Sequence, residues 1–445
     1  MRDVQAIVIG SGVAGLVSAQ VLAKHFRQVL LLDKDQMPAL PGPRQGIPQG
    51  HHFHGLLPGG LQILNDLFPG FDADLKAAGA LTPQPHEFYA FGEEGKSYSY
   101  LRHQPEPSEP IPGFPQLHMQ SRYLLEHCLR TRVEATPNIT TRYGTAIRDP
   151  LIRDGAVAGV VVHNQGEEIR ADLVVDAAGR VGRTPRWLEA MGYARPKETH
   201  VNCDFAYTTI MFRPSEPDLL KDAGFFVMPA KSGRYIRRSA CLVKTETGDW
   251  LASLSGRLGD HPPEDLEGYM QWAQTLCDPA FSDLIKTATP ISEPHHFKFP
   301  RAIRRHYEQL KRFPSGVLPI GDGVCQYNPY YGQGMSAACR QTLALDKVLT
   351  GFADRPLTDL WKPYFAAVFE QIRAPWLYAA LLDFAHKGTS GDYPNEERKS
   401  VELLMRYGQM SLNGDREAAR LVTSISSLMA PLSAIHQAHL KEPTP

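Results

Sequence analysis

Between Val4 and Ile9 the chain is a short, largely β-branched run, the pattern of a strand buried on both faces. Gly10-Ser11-Gly12-Val13-Ala14-Gly15 follows, and then apolar positions at Leu16, Val17, Ala19, Leu22 and Ala23, which suit a helix packed closely on a sheet. A second strand, Val29 to Leu32, ends at Asp33. Strand, tight turn, helix and strand thus fall within about thirty residues, the length of one βαβ unit.

Further along, a Pro- and Gly-rich loop covers roughly 38–60 and a helical pattern resumes from Leu61 to Phe68. Phe88 to Phe91, the turn Gly92 to Gly95, and Ser97 to Tyr100 predict a hairpin, and the Pro-rich stretch Pro105 to Pro115 a connector. Leu124, Leu125, Cys128 and Leu129 place a helix over Ser121 to Val133. Residues 139–176 predict a β-meander, with strands at Thr140 to Tyr143, Ala156 to Val162 and Leu173 to Val175, and turns at Asp154-Gly155 and Asn164 to Gly166. Residues 200–300 mix strands (Phe205 to Met211, Ser239 to Val243, Trp250 to Leu254) with one helix near Leu266 to Leu276. Another buried strand, Gly316 to Ile320, precedes a second glycine-rich turn and a helix from Met335 to Leu349. The rest, to about residue 438, reads as helical, with a polar loop from Gly388 to Glu397.

Composition narrows the class. Of the 445 residues, 42 % are hydrophobic and 21 % charged, which is enough apolar material for a globular core of two or three domains. Lys plus Arg (47) balances Asp plus Glu (48), which excludes a nucleic-acid binder that relies on a broad positive field. The local cluster Arg301, Arg304 and Arg305 reads as a solvated face. No apolar run reaches the length of a membrane span, and the first apolar stretch runs into a glycine turn rather than a cleavage site. Six scattered cysteines without CxxC spacing read as the reduced thiols of a cytoplasmic protein.

Each glycine of the first turn has a physical task. Gly10 permits the turn, Gly12 lets backbone approach a pyrophosphate, and Gly15 lets the helix sit close to the sheet. The helix N-terminus offers unpaired N–H groups and a positive dipole end to the anion. Asp33, at the end of the second strand, is placed to accept hydrogen bonds from adenosine ribose hydroxyls. A turn that follows a strand, opens a helix and is answered by a carboxylate predicts dinucleotide binding, without separating FAD from NAD(P).

The discriminating segment is Gly321-Asp322-Gly323, followed by Asn328-Pro329-Tyr330-Tyr331-Gly332-Gln333-Gly334-Met335. A second anion-handling turn after a late strand suits a cofactor as long as FAD. Asp322 can bond its ribityl hydroxyls, and the helix starting near Gly334 can direct N–H groups toward the flavin N1–C2=O region.

With these residues, the sequence resembles the FAD-dependent monooxygenases of para-hydroxybenzoate-hydroxylase-like fold, over at least residues 4–350. It looks closest to the bacterial branch of olefin epoxidases and aromatic hydroxylases. Further residues carry the likeness: Arg44-Gln45-Gly46-Ile47-Pro48-Gln49 with His51 and His54, Ser121-Arg122 with Leu125-Glu126, and Asp176-Ala177-Ala178-Gly179-Arg180 with Arg183-Thr184-Pro185. The resemblance implies that Arg44 and Arg122 contact FAD and that Pro329 packs near the isoalloxazine ring, with Gly332, Gly334 and Met335 alongside. It also implies O₂ as co-substrate, a flavin C4a-hydroperoxide, and oxygen transfer to an alkene or aromatic ring.

One departure bears on the reductant. Family members that bind NAD(P)H directly usually carry Asp-Gly in the middle motif; here Asp176 is followed by Ala177, and Gly179 comes later. NAD(P)H itself or a separate flavin reductase therefore stays open as electron source. The lysine and Trp-x-Trp-x-Ile-Pro stretch of flavin halogenases are missing, the next lysine after Lys34 being Lys76. His51, His52 and His54 do not read as a metal site, because adjacent residues rarely point at one ion; one of them lies beside the flavin or all three serve the loop. Tyr327, Tyr330 and Tyr331 either line the cavity beside the flavin or pack the turn.

The resulting expectation is an α/β fold: a Rossmann-like FAD domain of glutathione-reductase type from 1–80, 117–190 and 301–350, a mixed β-sheet substrate domain from 81–116 and 191–300, and a helical region from 351–445. The expected function is monooxygenation, epoxidation or hydroxylation, of a hydrophobic olefinic or aromatic small molecule, with no general base nominated. A reductase or dehydrogenase acting on a prenyl or polyene chain, and a flavoprotein that merely carries a ligand, are the alternatives.

Overall fold

The computed structural model describes residues 2–83, 88–91, 97–98, 118–163, 166–217, 219–220, 224–227, 237–353, 355–412 and 415–437. The expected turn at 92–95 and connector at 105–115 lie outside them.

Five parallel strands form the central sheet: β1 (Arg2–Ile9), β2 (Phe26–Leu32), β3 (Ile139–Arg142), β4 (Leu173–Asp176) and β5 (Val317–Pro319), in the order β5-β4-β1-β2-β3. The register places Ile7 beside Leu30 and Val174, and Leu318 beside Val175. Ala6, Ile7, Val8, Val29, Leu31, Val174 and Val175 are fully enclosed, with a helix packed along the sheet and the antiparallel strand Ala156–Val162 packed against β4. Helix α1 (Val13–Ala23) lies between the sheet and three helices: α2 (Pro58–Leu67), α3 (Arg122–Glu134) and α4 (Gly334–Gly351). Its Leu16, Val17, Val21 and Leu22 are buried, each contributing about 1.5–3 kcal/mol. The Ser121 hydroxyl starts α3 by accepting the Leu124 N–H at 3.1 Å, a cap that the Ser-Arg pair advertises in sequence.

The expected meander over 139–176 divides between two sheets. β3 pairs with β2, and β4 with β1, both in parallel. Only the intervening strands Ile147–Arg153, Ala156–Val162 and Glu168–Arg170 form an antiparallel three-stranded sheet. The turn at Asp154-Gly155 adopts positive φ at both residues, as its sequence predicts.

A second large sheet is mostly antiparallel. Strand Phe205–Pro214 pairs with Trp250–Arg257 and with His295–Phe299, and the sheet continues through Ser239–Lys244 and Gly224–Val227 to the hairpin Phe88–Phe91 and Ser97–Tyr98. Trp250, Phe212 and Leu254 on one face pack against helix Leu266–Ala273 and a further short helix, Ala280–Lys286, that the sequence pattern did not resolve. The 24-residue helix α5 (Trp361–Phe384) then runs back over α4, and Arg398–Leu412 and Arg416–Ser426 close a third cluster against its end.

The basic cluster is not a solvated face. Arg304 is buried against Glu308 and the ring of Phe369, and Arg305 bonds Glu198 and the carbonyls of Asp322 and Gly323. Only Arg301 of the three is exposed. Among the described residues, no helix is long and apolar enough to cross a membrane, no disulfide joins any of the six cysteines, and no group of three His, Cys, Asp or Glu is arranged to hold a metal.

Candidate cofactor site

The carboxyl ends of the parallel strands bring the two glycine turns together. Gly10 leaves β1 at φ +96°, its N–H donating to the Leu32 carbonyl at 2.7 Å, and a Cβ there would lie 2.7 Å from the Ala177 carbonyl oxygen. At Gly15 a Cβ would meet the Gly10 oxygen at 1.7 Å, so α1 can start this close to the strand only with glycine. The second turn docks on the first: at Gly321 (φ +64°) a Cβ would stand 2.9 Å from the Ala14 Cβ. Asp176, the last residue of β4, secures the segment between them. Its Oδ2 accepts Arg183 N–H, Thr184 N–H and the Thr184 hydroxyl at 2.7, 2.9 and 2.8 Å. This is the crevice at strand carboxyl ends where open α/β sheets bind nucleotides.

Polar groups converge along it. Asp33 is buried; its Oδ2 accepts the N–H and hydroxyl of Ser11, both at 2.6 Å, while Oδ1 accepts the Asp35 N–H. Arg44 is a hub rather than a surface residue. Its guanidinium reaches Asp33 (3.3 Å), Asp35 (3.0 Å) and Glu126 (3.1 Å), and Glu126 also receives Arg122 at 3.2 Å. Burial works against the charge of Arg44, yet Glu126, Asp33 and Asp35 together raise its pKa above the ordinary value. Asp322 stands nearby with no hydrogen bond to its carboxylate among the described residues. Burial raises its pKa, opposed by Arg122, Arg180 and Arg305.

These groups fit a long anionic dinucleotide. A Cβ at Gly12 would find nothing nearer than 3.9 Å, and at Gly332 or Gly334 nothing within 4 Å, so backbone faces open space at both turns. Neither α1 nor α4 has a side-chain cap at its N-terminus. The Gln333 amide, 1 % exposed, and Arg122 Nε have no partner among the described residues. Buried polar atoms left this way call for a bound group.

A cleft of about 570 Å³ opens beside Arg44, between loop 43–52 and the strand His295–Phe299. His51, His52, His295, His296 and Phe297 line it. His51 stacks on His295, and its Nδ1 lies 2.8 Å from the Tyr123 hydroxyl. His52 is held by the Thr209 hydroxyl at 2.8 Å, and burial drives its pKa down to about 2, with His54, His295, His51 and His296 adding to the effect. His54 bonds the His52 carbonyl and falls to about 4, mainly by burial.

Pro329 begins a short turn in which Asn328 Oδ1 accepts the Tyr330 N–H at 3.1 Å. Tyr327 is buried, Tyr330 lies edge-on to Phe205 at 5.6 Å, and Tyr331 donates its hydroxyl to Asp383 at 2.8 Å.

A family profile described as an NAD(P)-binding Rossmann-like domain matches residues 8–53. Protein Rv3254 of Mycobacterium tuberculosis is 31 % identical over 417 residues, 90 % of this chain and 85 % of that protein. Kynurenine 3-monooxygenase of Salinispora arenicola is 22 % identical over 398 residues, 84 % of this chain and 81 % of the other. The flavin-dependent brominase Bmp2, as a triple mutant, superposes with TM-score 0.66 over 97 % of both chains at 16 % identity, a likeness of fold. The chain belongs to one family with Protein Rv3254 and shares the para-hydroxybenzoate-hydroxylase-like fold of FAD-dependent monooxygenases. That likeness of fold extends over nearly the whole chain.

Within this family frame, sequence motifs located both turns, Asp33, Arg44 and Arg122. They missed Asp35, Gln333, Arg257 and Asp383. Glu126, four residues after Arg122, carried a readable i,i+4 signal. Asp383 carried none, because its partners lie far away in the chain.

Proposed function

We propose that this enzyme adds one oxygen atom to an electron-rich aromatic ring or alkene. The observation that carries the reading is the meeting of the Gly10–Gly15 and Gly321–Met335 turns at the carboxyl edge of one sheet, with open backbone at Gly12 and Gly334. On this reading Gly10, Gly12 and Gly15 admit the FAD pyrophosphate, and Asp33 holds the adenosine ribose. Arg44 and Arg122 flank the chain of the cofactor, and Asp322 takes the ribityl hydroxyls. Pro329, Gly332, Gly334 and Met335 border the ring, where the N-terminus of α4 stabilises negative charge.

When bound, FAD supplies the reaction of its reduced ring with O₂. The protein's part is to hold the substrate close and exclude water. The histidine-lined cleft is the proposed substrate cavity; its 570 Å³ lies within the range for small organic molecules. His51, His295 and Phe297 offer ring faces, and the imidazoles, their pKa values lowered by burial, are neutral near pH 7. The aromatic substrate in the name of the Salinispora relative supports the aromatic choice. Replacement of Asp-Gly by Asp176-Ala177 supports a separate flavin reductase as electron source.

Two measurements test this. Candidate phenols and olefins are supplied with chemically reduced holoprotein and O₂; a product heavier by one oxygen is expected, and uncoupled O₂ consumption across a broad panel would count against oxygenation. Anaerobic mixing with NADH or NADPH should leave the flavin band near 450 nm unbleached on the turnover timescale. Rapid bleaching would remove the need for a reductase.

A further inference from the structure

Asp383 lies near the carboxyl end of α5 and is completely buried. One of its oxygens, Oδ1, accepts three hydrogen bonds: from Arg257 Nη1 at 3.1 Å, Asn328 Nδ2 at 2.8 Å and the Tyr331 hydroxyl at 2.8 Å. The donors come from two places. Arg257 is the last residue of strand Trp250–Arg257 in the large sheet, whereas Asn328 and Tyr331 bracket Pro329. Arg257 is itself buried, its guanidinium 4.8 Å from the Tyr330 ring centre and 5.5 Å from that of Phe205.

We propose that Asp383 is a positioning residue for the flavin, which fixes the Asn328–Gly334 turn by gathering Asn328, Tyr331 and Arg257 onto a single oxygen. The inference rests on FAD occupying the crevice as proposed above. The geometry argues for more than a core ion pair. A buried pair is seldom worth more than an apolar replacement of equal volume, so its stability contribution does not account for it. What an apolar pair could not do is orient Asn328 and the Tyr331 hydroxyl together. Asn328 in turn caps Tyr330, which sets the path into Gly332 (φ +64°), the Gln333 amide, which has no partner among the described residues, and the uncapped start of α4. A shift of the turn would therefore move the N–H groups nearest the proposed ring position. Burial raises the pKa of Asp383, although Arg257, Tyr331 and Asn328 favour its charged form.

The test uses the full-length protein reconstituted with FAD. Asp383→Asn should raise the FAD dissociation constant about tenfold, equal to about 1.4 kcal/mol, and alter the visible circular dichroism of the bound flavin. Tyr331→Phe, which removes one donor and leaves the ion pair, should shift the same spectrum in the same direction by less; it keeps the test decisive if Asp383→Asn does not fold. The double variant Arg257→Met/Asp383→Leu removes both charges. It should recover the wild-type thermal midpoint without recovering the flavin spectrum. Wild-type spectrum and affinity in Asp383→Asn, or their recovery in the double variant, would show the pair to be structural only. Failure of the wild-type protein to bind FAD would instead sink the functional reading beneath it.

Discussion

His51 stacks on His295 with ring centroids 3.6 Å apart and planes 15° from parallel, joining the loop after Arg44 to the edge of the large sheet. Burial lowers the pKa of both, and His295 lowers that of His51 further. Around them stand His52, His54, His296 and Tyr123, with Glu293 beside His295 and Glu264 and Lys298 beside His296. Acid puts charge into this stack. Substrate turnover should therefore show an acid limb, and His51→Phe, which keeps a stacking ring without a titrating nitrogen, should move that limb to lower pH. An unmoved limb would assign it to another group.

His52 gives the fold itself a pH dependence. Its folded pKa, about 2, lies below the ordinary 6.5, so the unfolded chain binds more protons between those values. Stability is then fully present above about pH 6.5 and declines as pH falls toward 2. Between pH 7.5 and pH 5 the loss from this one group is about 2 kcal/mol. Urea midpoints across that interval should show it, and His52→Asn should flatten the slope by that amount.

Gly12 and Gly15 should respond in opposite ways to alanine. At Gly15 the new Cβ would run into the Gly10 carbonyl, so Gly15→Ala should unfold or aggregate the protein. At Gly12 the methyl has room in the folded chain but would occupy the proposed pyrophosphate space. Gly12→Ala should keep a near-native thermal midpoint while FAD retention after gel filtration falls at least tenfold. Loss of folding in both would remove the distinction.

Arg44→Ala removes the cation shared by three buried carboxylates, of which only Glu126 keeps another, Arg122, at a cost of about 3–5 kcal/mol. Denaturant titration of the variant against wild type measures this loss. Arg44→Lys should rescue little, since a single ammonium cannot span Asp33, Asp35 and Glu126 together.

Asp176 accepts three donors on one oxygen and the Ala178 N–H on the other. An amide in its place turns an acceptor into a donor facing an N–H. Asp176→Asn should cost about 1–3 kcal/mol and open residues 178–184 to limited proteolysis. An unchanged cleavage pattern would mean that the segment is held by its packing alone.

Much of this architecture was legible because its signals are local. The first βαβ unit, the caps and the glycine turns are set by neighbours a few residues apart, where period and steric demand read directly from the chain. The motif residues Asp33, Arg44, Arg122 and Asp322 were found the same way. Their hydrogen-bond partners were less legible: Arg44 offered no local sign that Asp35 and Glu126 would enclose it.

The chain by itself determined the first βαβ unit, a second glycine turn after a late strand, and a helical end. Only the tertiary structure decided that β3 and β4 leave the apparent meander to join β1 and β2, that Arg304 is buried and Arg305 half-buried, and that Asp383 meets Asn328 and Tyr331. The reason is physical. Hydrophobic period tells which face of a strand is buried but not which strand lies beside it. Likewise a charged residue reveals its partner only when folding closes the long loop between them.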